Sequence, residues 1–197
     1  MTTFNPGDLE PQDLYKLLIG LVVPRPIAWV GTVSAEGVPN LAPFSFFNVF
    51  GVTPPTVVFS PIGNVAKDTL ENVTLTGEFT LNSVTEEVLA AMNQTATTAS
   101  VDEFAVAGLT PHESDVVAAP RVAEAKASME ALVRQIIPIG DGPMRANLVV
   151  GEVVRIHVAD HLLDGTRVLP HELRAVGKLA GPDYALTREI VSHHRPG

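Results

Sequence analysis

The chain has no cysteine among its 197 residues. Disulfides, thiolate nucleophiles, thiolate-ligated zinc and iron–sulfur centres are therefore excluded. Positive charge is scarce too: 13 Lys and Arg face 22 Asp and Glu, a formal net charge of −9. Such a surface repels phosphate backbones and anionic lipid, so neither nucleic acid nor a membrane is expected as a partner. There is no run of 18 apolar residues, and no basic segment followed by an apolar one opens the chain. The expectation is a cytoplasmic protein without a membrane span. Three signatures are also missing: Gly-x-Gly-x-x-Gly after a strand, a Gly-Lys-Ser/Thr loop, and Gly-x-Ser-x-Gly. A Rossmann nicotinamide site, a P-loop and a hydrolase nucleophile elbow are left without support.

What is present is enough apolar residue, 46%, to build the core of one domain spanning residues 1–197, with no repeat or linker. The organising stretch is 22–60. Its apolar, β-branched runs at 27–33 and 56–59 flank a middle in which Asn40, Ser45 and Asn48 alternate with Pro, Ala and Phe. That mixture predicts strands bounded by turns, presenting a surface rather than pure core.

Taken in order, Pro11 opens a helix with Leu14, Leu17, Leu18 and Leu21 on one face. Pro24 and Pro26 stop it and hold Arg25 extended, because a residue before proline is pushed out of the α region. Residues 27–33 and 38–41 read as a hairpin around 34–37, followed by a turn at 52–55 and a strand at 56–60. A helix is predicted over 65–73, with Lys67, Asp68 and Thr69 in its first turns. Helix starts expose unpaired amides and partial positive charge, which suits an anion. Gly77 ends this helix, and 78–84 alternates as a strand. Thr85 is the expected N-cap of a helix over 86–93, and 102–104 a helical turn. Residues 128–137 fit helical spacing slightly better than a strand, 148–158 is a strand, 164–165 a turn, and a short helix follows Tyr184. Short strands, Gly/Pro turns and three or four helices predict a mainly β fold, a closed antiparallel barrel with helical insertions.

Catalytic constellations are thin. His157 and His161 stand four apart, but on a strand running into a turn that spacing separates them, so no metal site is expected. Ser45 sits between two phenylalanines with no histidine nearby. The chemistry is therefore assigned to a cofactor.

PRPIAWVGT, GVPNLAPFSFFN, TPP, KDTLEN, GEFTLN, VDEF with AGLT, GEVVRIHV and VGKLAGPDY occur in this order. Together they make the chain resemble the flavin reductase-like, FMN-binding split-barrel family, from about Leu14 to Tyr184. The resemblance implies a six-stranded antiparallel Greek-key split barrel with peripheral helices, a homodimer with FMN at the subunit interface, and a strand over 128–137. It places Pro24 and Arg25 at the border of the flavin. Thr32, Asn40, Ala42, Pro43, Ser45, Phe46 and Phe47 fall along the isoalloxazine and ribityl chain. Ser60, Lys67, Asp68 and Thr69 fall at the phosphate. A dianionic phosphate needs several donors, which a lysine, hydroxyls and a helix start supply. The family often has Arg where Lys178 stands, and lysine lacks the bidentate fork, so Lys178 is left out of the site, as is His157.

The activity implied is that of an NAD(P)H-dependent flavin or FMN reductase, with a monooxygenase or another electron acceptor as possible partner. Two other readings stay open: a non-enzymatic FMN-binding electron carrier, and a dimeric barrel without a cofactor.

Overall fold

The computed structural model describes residues 1–63, 67–97, 99 and 101–194. Helix α1, Pro11–Leu21, starts with proline at its first position, as expected. Strands β1 (Ala28–Val33), β2 (Pro39–Phe44), β3 (Phe47–Val52) and β4 (Pro55–Phe59) follow, then helix α2 (Lys67–Thr76) and β5 (Glu78–Asn82). Two short helices, α3 (Leu89–Gln94) and α4 (Glu103–Val106), lead to the two-residue strands β6 (Pro111–His112) and β7 (Arg121–Val122). The long β8 (Ala127–Ile139) and β9 (Ala146–Val158) come next. The chain ends with β10 (Leu163–Asp164), β11 (Arg167–Val168), α5 (Pro170–Leu173), β12 (Val176–Lys178) and β13 (Tyr184–Leu186).

The main sheet has seven strands in the order β2-β1-β5-β8-β9-β4-β3, every pair antiparallel. Its two edge strands, β2 and β3, are consecutive in sequence, with Ser45 and Phe46 between them. The two edges of the sheet are thus tied by a two-residue link, with no ladder between β2 and β3 among the described residues.

Three expectations are corrected. The main sheet has seven strands rather than six, because residues 47–52 pair with β4 as an edge strand, with a bulge between Val49 and Gly51. Thr85 gives no side-chain cap to the 3-10 turn Glu86–Val88 that precedes α3. Beyond Tyr184 the chain forms β13 against β12, and no helix follows among the described residues. The segment 128–137, ambiguous by periodicity, is a strand, since β9 pairs along its length and β5 flanks residues 128–132 on the other side.

One face of the sheet encloses Val30, Phe59, Phe79, Leu81, Ala131 and Val149, all nearly inaccessible to water. Phe79 and Phe59 meet edge-on at 5.2 Å. Gly151 makes room for this pair: a Cβ there would lie 2.4 Å from the Phe79 ring. On the other face, Trp29, Leu41, Val88, Met92, Phe104 and Val122 form a second core under the short helices, and the Trp29 indole donates to Thr95 Oγ1 at 2.9 Å.

β5 shows why both faces are covered. Phe79 and Leu81 point to the first core, whereas Glu78, Thr80 and Asn82 take the backbone of a strap formed by residues 114–122. Glu78 accepts the Ala118 amide (2.7 Å), Thr80 donates to Pro120 O (2.7 Å), and Asn82 accepts the Val122 amide (2.9 Å). Side chains thus do the work of a neighbouring strand. Gly31 lets the strap cross β1, since a Cβ would come within 2.4 Å of Pro120 O.

The apolar face predicted for α1 is only partly used. Leu14 and Leu17 are half-buried, but Leu18 and Leu21 are 51% and 78% exposed, and the residue the helix buries is Ile19, outside the predicted face. On the β3 edge Phe50 and Val52 are 70% and 84% exposed.

Candidate functional site

The link between β2 and β3 is anchored from the entry to β1. Arg25 is held between two prolines with its backbone bridged to Lys178 in both directions (2.9 and 2.8 Å). Its buried guanidinium donates to Ile19 O, to Val22 O (2.8 Å), to Leu179 O (2.9 Å) and to Ser45 Oγ (3.3 Å). The first two acceptors are carbonyls at the end of α1, the negative pole of the helix, so Arg25 caps that helix while fixing Ser45. Burial lowers its pKa, and among the described residues no carboxylate pairs with it. Arg25 is thus a buried cation balanced by dipoles alone.

Phe46 rests edge-on against Tyr15 of α1 (6.4 Å), and its carbonyl accepts the Ser60 amide at 2.8 Å. Phe47 lies opposite Phe59 in the sheet register. Ala42 and Pro43 are half-buried on the edge strand β2, where proline costs no ladder hydrogen bond. Ser60, just past β4, is buried, and its hydroxyl reaches only Pro61 O at 3.5 Å.

A second group ties β1, β2 and α2 together. Asn40 lies directly across from Thr32. Its amide nitrogen donates to Thr32 Oγ1 and to Thr69 Oγ1, both at 3.0 Å, while Asn72 donates to Thr32 Oγ1 at 3.0 Å. Thr69 is 1% exposed, and its hydroxyl proton has no acceptor among the described residues. A buried hydroxyl in the first turn of a ten-residue helix, its proton without an acceptor among the described residues, is a donor for an anion at that helix start. The Lys67 side chain lies outside the described part.

The predicted residues do not all share one cleft. Pro24, Arg25 and Phe47 line an apolar cavity of about 500 Å³ at the open end of the sheet. Asn40 and Asp68 instead line a polar cleft of about 250 Å³ with Glu71, Asn72 and Glu103. The three carboxylates make that cleft hostile to an anion. Burial pushes the Glu103 carboxyl up, with Asp68 adding to the rise. Round the same helix start, Gly63, Leu70, Asp141, Gly142, Arg145 and Asn147 line a third cleft of about 360 Å³, with one carboxylate where the second cleft has three. Arg145 supplies the cation that the sequence reading took only from Lys67. No spacing signal marks it, because the turn between β8 and β9 carries it to α2 from far along the chain.

One trio among the described residues has metal-ligand chemistry: Asp115, Glu130 and His157, their ligand atoms within 4.8 Å of one another. Its donors are spent. Glu130 accepts the amides of Asp115 (2.8 Å), Val116 (2.6 Å) and Val117 (3.2 Å), and meets His157 Nε2 at 2.6 Å. Arg155 lies 3.6 Å from Asp115 and Arg121 lies 4.0 Å from Glu130, so the neighbourhood is already cationic. The trio latches the strap to β8 and β9. Lys178 likewise serves its own turn, donating to Gly181 O and Asp183 O with its ammonium 4.0 Å from the Tyr184 ring centroid.

Comparison with known proteins gives this geometry its context. The flavin reductase-like domain model matches residues 20–174. An uncharacterized protein of Aquifex aeolicus is 44% identical over 183 residues, 90% of this chain and 91% of its own length. The crystal structure of nitrilotriacetate monooxygenase component B from Bacillus cereus superposes with a TM-score of 0.93 at 38% identity, covering 98% of each chain. The Pseudomonas fluorescens 2-nitrobenzoate 2-nitroreductase superposes with a TM-score of 0.91 at 30% identity, over 99% of this chain and 96% of that one. A family match over residues 20–174 and 44% identity to a relative covered over nine-tenths of its length lead to one assignment: this protein belongs to the flavin reductase-like domain family.

Proposed function

We propose that the protein is a homodimeric, cytoplasmic FMN-binding oxidoreductase that uses NAD(P)H to reduce flavin. The observation that carries the reading is the buried Thr69 hydroxyl at the start of α2, whose proton has no acceptor among the described residues, on a helix turn whose Leu70 shares a cleft with Arg145. These donors fit a phosphate monoester, and the Arg145 cleft, with Asp141 as its one carboxylate against three in the cleft on the other flank, is the side assigned to it. Thr69, Ser60, Arg145 and Lys67 hold the phosphate in this reading, and Thr32 and Asn40 fix the Thr69 rotamer. Ala42, Pro43, Ser45, Phe46 and Phe47 form the wall for the isoalloxazine, with Pro24 at its border and Asp68 at the phosphate end.

Bound there, FMN supplies the hydride-accepting ring that NAD(P)H reduces and a second acceptor reoxidises. Arg25 contributes a positive potential that no carboxylate cancels, which favours negative charge beside Ser45. No side chain is required as acid or base. The exposed Leu21, Phe50 and Val52 support a second subunit across this face, because a monomer would leave large apolar side chains in water. The likeness to a monooxygenase component supports an oxygenase as electron acceptor. The test is stopped-flow mixing of the flavin-loaded protein with NADH or NADPH. Rapid bleaching of the flavin band is expected, and a flavin-loaded protein indifferent to both nucleotides would instead be an electron carrier.

A further inference from the structure

The apolar cavity at the open end of the sheet is larger than either polar cleft, at about 500 Å³. That volume lies within the range of small-molecule sites, roughly 300–1,000 Å³. Its walls come from every layer of the fold: Ala28, Phe47, Leu81, Met129, Val158 and Val176. Leu81 and Met129 are cross-strand partners on β5 and β8, so the cavity floor is continuous sheet rather than loop. Polar groups are few and mostly committed. Asn82 is bonded through both ends of its amide, to Trp29 O and to the Val122 amide. Ser83 and Ser128 are the exceptions: the Ser83 oxygen accepts the Ala127 amide at 3.0 Å, neither hydroxyl proton has an acceptor among the described residues, and Ser83 is the less buried of the two.

From this we infer that the cavity binds an uncharged fused-ring molecule, which accepts one hydrogen bond from Ser83. Charge is disfavoured although Arg25 lines the wall. Four of the guanidinium's donor positions are taken by Ile19, Val22, Leu179 and Ser45, leaving one of the usual five. A carboxylate would lose its hydration to carbon walls and regain a single donor, whereas a neutral ring gains from each apolar contact. Pro24, Arg25 and Phe47 belong both to this cavity and to the proposed isoalloxazine wall, so the occupant lies beside the flavin. That adjacency, unlike the binding itself, rests on the FMN reading.

The experiment is calorimetric titration of the full-length, flavin-free protein with 1-naphthol, 1-methylnaphthalene and 1-naphthoate. Saturable binding of the first two is expected, with 1-naphthoate at least about tenfold weaker. Ser83→Ala should weaken 1-naphthol about five- to tenfold, the scale of one neutral hydrogen bond, and leave 1-methylnaphthalene unchanged. Val158→Trp should abolish binding of both. The inference is overturned if 1-naphthol does not bind, the result expected if a second subunit fills the cavity. It is equally overturned if 1-naphthoate binds as tightly as 1-naphthol, or if Ser83→Ala affects the two neutral probes alike. Because flavin is absent and heat is the readout, failure here is separable from failure of the FMN assignment.

Discussion

Asn40 and Thr69, 29 residues apart in sequence, are joined by a buried 3.0 Å bond from the amide nitrogen of one to the hydroxyl oxygen of the other. The bond fixes the start of α2 to the edge strand β2, and the Thr69 proton has no acceptor among the described residues. Thr69→Val is therefore expected to do two things. It should cost about 1–3 kcal/mol of stability by stranding a donor of Asn40, and weaken FMN binding by about as much. Asn72→Ala removes a bond from the same network without touching Thr69, so urea denaturation should show a loss while the FMN titration does not move.

Arg25 makes the opposite kind of claim, that a predicted site residue is first a structural one. Arg25→Ala should destabilise by about 1.5–3 kcal/mol, because it leaves the carbonyls of Ile19, Val22 and Leu179 without their charged donor. Arg25→Lys should recover little of it, because one ammonium cannot reach four acceptors in a planar fork. Equilibrium denaturation of both variants checks this.

The strap latch carries a pH dependence. Burial pushes the Glu130 carboxyl up, but the amides of Asp115, Val116 and Val117 and the His157 ring outweigh it, and its pKa is lowered overall. A depressed folded pKa gives stability that is present above the unfolded value and lost as pH falls through the folded one. Hydrogen exchange at Asp115, Val116 and Val117 should stay slow through the ordinary glutamate range near pH 4 and accelerate only below it. Glu130→Gln should exchange faster at neutral pH, with the pH step gone.

Glu103 should behave in reverse. Its pKa is raised by burial, so the stability it contributes is full below the unfolded value and declines as pH rises through the folded one. Glu103→Gln is expected to raise the melting temperature at neutral pH, and the gain should vanish in acid. A melting series across pH would show it, and a variant less stable at neutral pH would contradict it.

The sequence made the elements legible where side-chain period and turn residues agreed. Strands β1 and β4 and the start of β2 read correctly because Gly37 and the Pro54-Pro55 pair mark the turns, and α1 because proline opens it, whereas β3 went unread. Periodicity failed at residues 128–137, since Met129, Leu132, Val133 and Ile136 fit a helix as well as a strand. Only the neighbouring strands, which are non-local, decide it. The strap was invisible for a related reason: Glu78, Thr80 and Asn82 look like a solvent face, and nothing local says that another segment will cover them. At the candidate site, the Lys67–Thr69 stretch announced a helix start, and the structure adds Arg145 from the far end of a hairpin. The residues brought together directly are Thr32 with Asn40 and Thr69, and Arg25 with Ser45.

The central claim is that the α2 start and the Ser45–Phe47 wall hold FMN. Titration of the purified protein with FMN, followed by visible absorbance and flavin fluorescence, tests it most directly. The account predicts saturable uptake that Thr69→Val and Arg145→Ala each weaken about tenfold or more. A protein that takes up no FMN, or one whose affinity is unchanged in both variants, would contradict it.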